Sequence, residues 1–220
     1  YNHVLFHELS HEWLGNWMTA YDWNDFWLQE ALTGYVGDLY EESLYGTERL
    51  KKKLESRKRN MKHTIPLAFD SVVSSRDIFK DWSYAKSVYM IHLLRYLIGR
   101  ENIMKVLRLM AYPNKALEHT TTGQQCRFVT TNDLFQTVEN VCGTNYDWFK
   151  DVYIYNAEIP TLKIQQKTDG VTLSWITKNN LPFNMPLEIQ TTDGIQKIEF
   201  ENNEASIDVG RDQILEFDPN

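Results

Sequence analysis

Residues 7–11 read His7-Glu8-Leu9-Ser10-His11, and Glu30 follows nineteen positions after His11. Histidines four apart on a helix stand on one face, a turn apart, so both imidazoles reach a single metal ion. Glu8 neighbours that face, where it can serve a metal-held water instead of the metal. A hydrolytic zinc site takes three protein ligands and keeps one position open, and two histidines with a carboxylate is a standard set. Glu30 is the natural third ligand, which predicts one zinc ion per chain on His7, His11 and Glu30. With 6 His and 16 Glu in 220 residues, chance alone supplies roughly 0.01 H-E-x-x-H motifs, so the motif is informative by itself. The chemistry expected of such a set is hydrolysis of a peptide bond by a water whose pKa zinc lowers toward ~7. Glu8 takes that water's proton and passes it to the leaving amine. A phenol donor beside the zinc would stabilise the oxyanion by ~3 kcal/mol; with twelve tyrosines present, spacing does not choose one.

The remaining titratable residues take plainer roles. His3 lies one turn before His7, where an exposed or capping role is expected, and His63, His92 and His119 have no ligand-spaced partners. Asp22, Asp25 and Asp38 are candidates for orienting a ligand histidine through its second nitrogen. Trp13 and Trp27 are expected to pack the helices of the site. Cys126 and Cys142 are the only cysteines and form no CxxC, which excludes a cysteine zinc site and leaves open a disulfide or two separate thiols. Net charge is -7, and the basic run Lys51-Lys52-Lys53 with Arg57-Lys58-Arg59 reads as a solvated helix face, not a nucleic-acid surface. The longest apolar stretch, Val88 to Ile98, is interrupted by His92 and Arg95, so no membrane span is expected in this chain.

These groups must be held by something. A content of 42% hydrophobic residues over 220 positions supports a real core. The spacing predicts a first helix ending at Gly15-Asn16 and a second, capped at Asn24 or Asp25, carrying Glu30 on to about Tyr45. A charged third helix runs from Gly46-Thr47 to about Met61, and residues 66–81 read as a loop or short turns. Helices are expected over 84–98 and 102–111, a polar loop over 120–123, and two more helices capped at Thr131 or Asn132 and at Asn145. After Pro160, alternating apolar residues broken by Asp169-Gly170, Asn179-Asn180 and Asp193-Gly194 are strand and hairpin signals. The fold expected is mainly α over 1–158, then a small antiparallel β-sandwich-like module over 159–220.

The run His7-Glu8-Leu9-Ser10-His11-Glu12-Trp13-Leu14-Gly15-Asn16, followed by Trp27-Leu28-Gln29-Glu30-Ala31, resembles the zinc aminopeptidases of the M1 type. Gln29 and Ala31 stand where that family usually has Asn and Gly; neither is a ligand, so only helix packing is affected. Tyr84-Ala85-Lys86-Ser87 is similar to the family's Y-x-K-G, with Ser87 in place of Gly. The resemblance extends through Asp147-Trp148-Phe149 and Pro160-Thr161-Leu162-Lys163-Ile164 to Phe217-Asp218-Pro219-Asn220. It implies a thermolysin-like helical catalytic fold, ligands His7, His11 and Glu30, Glu8 as base, and Tyr84 as the phenol donor. The family often carries Glu seven positions after the ligand Glu, where this chain has Gly37.

The resemblance also implies an upstream Gly-x-Met-Glu-Asn segment that grips the substrate's free amine, which residues 1–220 do not contain. Apolar helical spacing runs back through Leu9, Leu5 and Val4 toward Tyr1, so the chain is expected to be the C-terminal part of a larger enzyme. The missing N-terminal part of the same polypeptide is then its partner, peptides are the substrates, and 1–220 alone is expected to be weakly active or inactive. Two other functions compete: a zinc endopeptidase of thermolysin-like type, and a non-catalytic peptidase-like scaffold. The contexts of Gly15-Asn16 and Trp27 to Glu30 disfavour the first, and the intact Glu8 disfavours the second.

Overall fold

The computed structural model describes residues 2–167, 170–192, 194–208 and 216–217. Tyr1, the His3 side chain, Asp169, Asp193 and 218–220, on which sequence expectations fell, lie outside the described residues. Packing divides the chain into two units, 1–146 and 147–220. The architecture is the one expected, a mainly helical unit followed by a small antiparallel β module.

In the first unit, α1 (Asn2–Ser10) ends in a wide turn over Glu12–Trp17, where Leu14 and Gly15 leave helical geometry. The chain then enters β1 (Met18–Ala20), which pairs in parallel with β2 (Arg127–Val129). This two-stranded ribbon was not predicted; three residues are too few for a period-2 pattern. A short turn over Trp23–Asp25, capped by Asp22, leads into α2 (Trp27–Tyr45). Trp27, Leu28, Ala31, Leu32 and Tyr35 are all buried, so α2 is enclosed on most sides, as a helix apolar around its circumference must be.

Among the described residues, five further helices pack around it or extend the unit. α3 (Thr47–Asn60) turns Lys53 and Arg57 inward on Asp38 at 2.8 and 2.9 Å, and Arg49 and Lys53 onto Glu41. Only part of its basic run is therefore a solvated face. α4 (Ser75–Asp81) occupies residues expected to be a loop or short turns; a reciprocal cap between Ser74 and Asp77 starts it, a signal present in the sequence. α5 (Tyr84–Ile98) is capped by Ser83, α6 (Arg100–Ala111) follows one residue later, and α7 (Thr131–Cys142) begins on a Thr130–Asp133 capping box. Asp25 accepts from the Thr131 backbone and hydroxyl, and Trp27 Nε1 donates to the same hydroxyl at 2.8 Å. The start of α2 is thereby pinned to the start of α7. Among the described residues no helix is long and apolar enough to cross a membrane.

The second unit opens with α8 (Asp147–Phe149) and a wide turn over Lys150–Ile154. Two antiparallel three-stranded sheets follow. One has the order β3 (Thr161–Lys167), β4 (Gly170–Ile176), β7 (Glu204–Ile207), and the other β6 (Gly194–Ile198), β5 (Leu187–Thr191), β8 (Glu216–Phe217). Val171, Leu173 and Ile207 from one sheet meet Ile189 from the other and Phe200 in a common core. Gly170 is required where β4 meets β7, because a Cβ there would stand 2.2 Å from the Ile207 carbonyl. Strands begin at Thr161, near the expected change at 158/159, but the packing division comes earlier. Phe149 packs on Tyr153, and Trp148 and Tyr153 pack edge-on against Phe183, which ties the last helical turns to the β module.

Candidate metal centre

His7 and His11 present their Nε2 atoms 3.2 Å apart, with rings nearly perpendicular. Glu30, in the first turn of α2, completes the group: Oε2 lies 3.7 Å from His7 Nε2 and Oε1 3.8 Å from His11 Nε2. The carboxylate distances are too long for good hydrogen bonds. They suit a shared ion, since ligands ~2.0–2.1 Å from a tetrahedral zinc stand about 3.4 Å from one another. Two imidazoles and one carboxylate are also zinc's own donor types. Among the described residues this is the one group of three such donors able to hold a metal ion. The side chains remain 21%, 20% and 11% exposed, so the group is open on one side.

Local chain geometry makes the convergence. α1 sets the two histidines one turn apart, and the wide turn after it brings Gly15 so close that a Cβ there would sit 2.9 Å from His11 Nδ1. That turn aims the Leu14 carbonyl at His11 Nδ1, at 3.3 Å. Thr33 Oγ1 stands 3.3 Å from the same nitrogen and donates to the Leu14 carbonyl at 3.0 Å. A proton on Nδ1 has acceptors there, which leaves Nε2 as the lone-pair nitrogen facing the group. Asp22, Asp25 and Asp38, the sequence candidates for this role, are engaged elsewhere: on Asn24 N, on Thr131, and on Lys53 and Arg57. Thr33 was missed, although it lies one helical turn after Glu30 and a spacing argument would reach it.

Glu8 is exposed on α1 beside His7. Tyr84, the first residue of α5, is half-exposed, with its ring edge-on to Trp82. Burial, then the charges of Glu30 and Glu8, raise the Tyr84 phenol above its usual range. Burial likewise lifts the Glu30 carboxyl; His11 and a Gln29 hydrogen bond oppose the rise and Glu8 adds to it. The structure brings His7, His11 and Glu30 together, and the charges of Glu30 and Glu8 reach the Tyr84 phenol. His63 and His92 take no part. Cys126 and Cys142 are both free thiols.

The chain is similar to known proteins along much of its length. Leucine aminopeptidase 2 of Pyricularia oryzae is 30% identical over 128 residues, covering 52% of this chain and 21% of its own length. Puromycin-sensitive aminopeptidase of Caenorhabditis elegans is 27% identical over 177 residues, covering 76% of this chain and 18% of that protein. Among solved structures, Legionella pneumophila aminopeptidase A in complex with aspartic acid superposes with a TM-score of 0.71 at 20% identity, over 93% of this chain and 24% of that one. The chain thus spans about a fifth to a quarter of the length of these proteins, and the last of them shares its fold. The sequence profile of the Peptidase family M1 domain matches residues 1–153, a stretch that contains His7, Glu8, His11, Glu30 and Tyr84, and the chain belongs to that family.

Proposed function

We propose that the intact protein is a zinc-dependent aminopeptidase that removes N-terminal residues from peptides, with His7, His11 and Glu30 as metal ligands. The convergence of His7 Nε2, His11 Nε2 and the Glu30 carboxylate at 3.2 to 3.8 Å is the observation that carries this reading. Zinc, when bound there, would polarise the attacking water and the peptide carbonyl. Glu8, next to the ligands and uncommitted to them, accepts the water's proton and returns it to the leaving amine. The raised Tyr84 phenol keeps its proton at neutral pH, so it donates a hydrogen bond to the oxygen on which negative charge develops. Thr33 and the Leu14 carbonyl keep the His11 ring in the ligating tautomer.

The aminopeptidase reading rests on family membership and on the relatives' names, and free-amine recognition is its distinguishing feature. Residues 1–220 contain no Gly-x-Met-Glu-Asn segment, so residues 1–220 by themselves are proposed to turn over substrate weakly. The test is release of the amine from leucyl, alanyl and arginyl amides by the intact protein, beside the same amides acetylated on the α-nitrogen. Cleavage of the free amides only is expected. Equal cleavage of the acetylated series would replace this reading with an endopeptidase. Metal analysis runs in parallel: one zinc per chain is expected, and full zinc retained by His11→Ala would sink the ligand assignment.

A further inference from the structure

Glu30 and Tyr84 sit in the first turns of two different helices, α2 and α5, and both must address one substrate carbonyl. Their contacts advance together along the two chains. The charge of Glu30 reaches the Tyr84 phenol; further along the helices Gly34 meets Val88, Tyr35 bonds His92, and Glu42 bonds Arg95. The helices therefore run parallel and in step, with their first turns at the metal-binding group. A lateral or axial shift of one against the other moves Tyr84 relative to Glu30.

Two features prevent such a shift. A Cβ on Gly34 would stand 2.6 Å from Val88 Cγ2, so α2 and α5 approach as closely as a glycine allows. Val88 is β-branched and 2% exposed, so a stiff χ1 and close packing oppose its turning away. Just beyond, Arg95 donates to the Tyr35 hydroxyl at 3.4 Å, and the Tyr35 hydroxyl lies 3.1 Å from His92 Nδ1. Arg95 also holds Glu42 through two 2.9 Å bonds, with Arg100 on the same carboxylate. Steric contact sets the separation of the helices, and the polar clamp sets their axial register.

We propose that Gly34 and Val88, with the Tyr35–His92 hydrogen bond, are positioning residues that set the Tyr84 hydroxyl against the Glu30-held metal. This rests on the aminopeptidase reading above. A Cβ on Gly34 would strike Val88 and lower stability whatever else Gly34 does, so without a positional role Gly34→Ala would lower the thermal midpoint and leave kcat of the folded protein unchanged. With a positional role, the two helices part and geometry at the reacting carbonyl is lost, where about 1 Å can cost on the order of 100-fold.

The experiment uses the intact protein and the variants Gly34→Ala, Val88→Ala, the pair together, and Tyr35→Phe. Gly34→Ala should lower kcat by about tenfold or more with KM changed less than about twofold. Val88→Ala removes the methyl that a new Cβ would strike, so the double variant should recover to within about threefold of wild type, a coupling that independent sites do not show. Thermal midpoint and zinc retention against a chelator are read on each variant. Wild-type kcat in Gly34→Ala, or a loss that Val88→Ala does not repair, overturns the proposal. Should Gly34→Ala fail to fold, Tyr35→Phe decides: a kcat loss at retained zinc and unchanged KM supports the clamp, and an unchanged kcat overturns it. An intact protein that binds zinc but cleaves no aminoacyl amide sinks the aminopeptidase reading alone. Zinc retention then decides the packing claim: weakened in Gly34→Ala and restored in the double variant supports it, and equal retention in all variants overturns it.

Discussion

Thr33 Oγ1 lies 3.3 Å from His11 Nδ1 while donating to the carbonyl of Leu14 at 3.0 Å. One hydroxyl thereby links the helix that carries Glu30 to the turn that follows the second histidine. Its removal should change the metal site without touching a ligand. Thr33→Val keeps the shape and loses both contacts, so zinc affinity should fall by about tenfold to 100-fold, the usual effect of removing a group that orients a ligand histidine. Competition against a chromophoric chelator measures it. Unchanged affinity would mean that the Leu14 carbonyl alone fixes the His11 ring.

Glu8 and Tyr84 should separate from the ligands in kinetics. Glu8→Gln is nearly isosteric yet cannot take a proton, so zinc should stay and turnover fall by about 10²- to 10⁴-fold. Tyr84→Phe should also retain metal and depress kcat more than KM, as expected of a contact made mainly in the transition state. Substantial activity of Glu8→Gln at saturating substrate and neutral pH would remove Glu8 from the role of base.

His92 gives the protein an acid-sensitive point away from the metal. Burial, aided by Arg95 and opposed by Asp38 and Glu42, pushes its pKa down to about 4 from the ordinary 6.5. Its folded pKa is depressed, so the unfolded chain binds more protons across that window. Stability is then fully present above about pH 6.5 and is lost progressively as pH falls toward about 4, by on the order of 2 kcal/mol after allowance for partial exposure. Protonating Nδ1 would also deprive the Tyr35 hydroxyl of its acceptor. Urea unfolding of the intact protein and of His92→Asn between pH 4 and pH 7 checks this. The variant should show a shallower slope, and equal slopes would place the acid sensitivity elsewhere.

The convergence of His7, His11 and Glu30 was legible in the sequence because its two histidines are local to each other. His7 and His11 are joined by one helical turn, and Glu30 lies in a tryptophan-rich segment whose pattern is distinctive. Tyr84 was reached only through family resemblance, since nothing in spacing links the first turn of α5 to α1. The Gly34–Val88 contact was missed for the same reason: it depends on how helices cross, and a glycine's tolerance of close approach is invisible until its neighbour is known; Thr33, one turn after Glu30, was within reach of a spacing argument. The α4 helix was misread as a loop or short turns even though the Ser74–Asp77 cap was present, because its seven residues are too few to establish a period. The β module was legible from alternation and from Asn179-Asn180, both of which adopt positive φ, conformations that asparagine tolerates better than most residues.

A fully buried charge in the helical unit makes a final prediction. Asp38 is fully buried on α2 and is held by two 2.9 Å bonds from Arg57 and by Lys53 at 2.8 Å. Such a pair is weak evidence of net stabilisation, because desolvating two ions offsets most of their attraction. Breaking it is another matter. Arg57→Met leaves a buried carboxylate with Lys53 alone, which also serves Glu41, and should cost about 3 kcal/mol or more in unfolding free energy. Replacing both partners by apolar groups of similar volume, Asp38→Leu with Arg57→Met, should recover most of that loss, since no unpaired charge is then buried. Chemical denaturation of the three proteins measures the difference. If the double variant is no more stable than Arg57→Met, then the pair, and not merely the avoidance of a lone buried charge, holds α3 against α2.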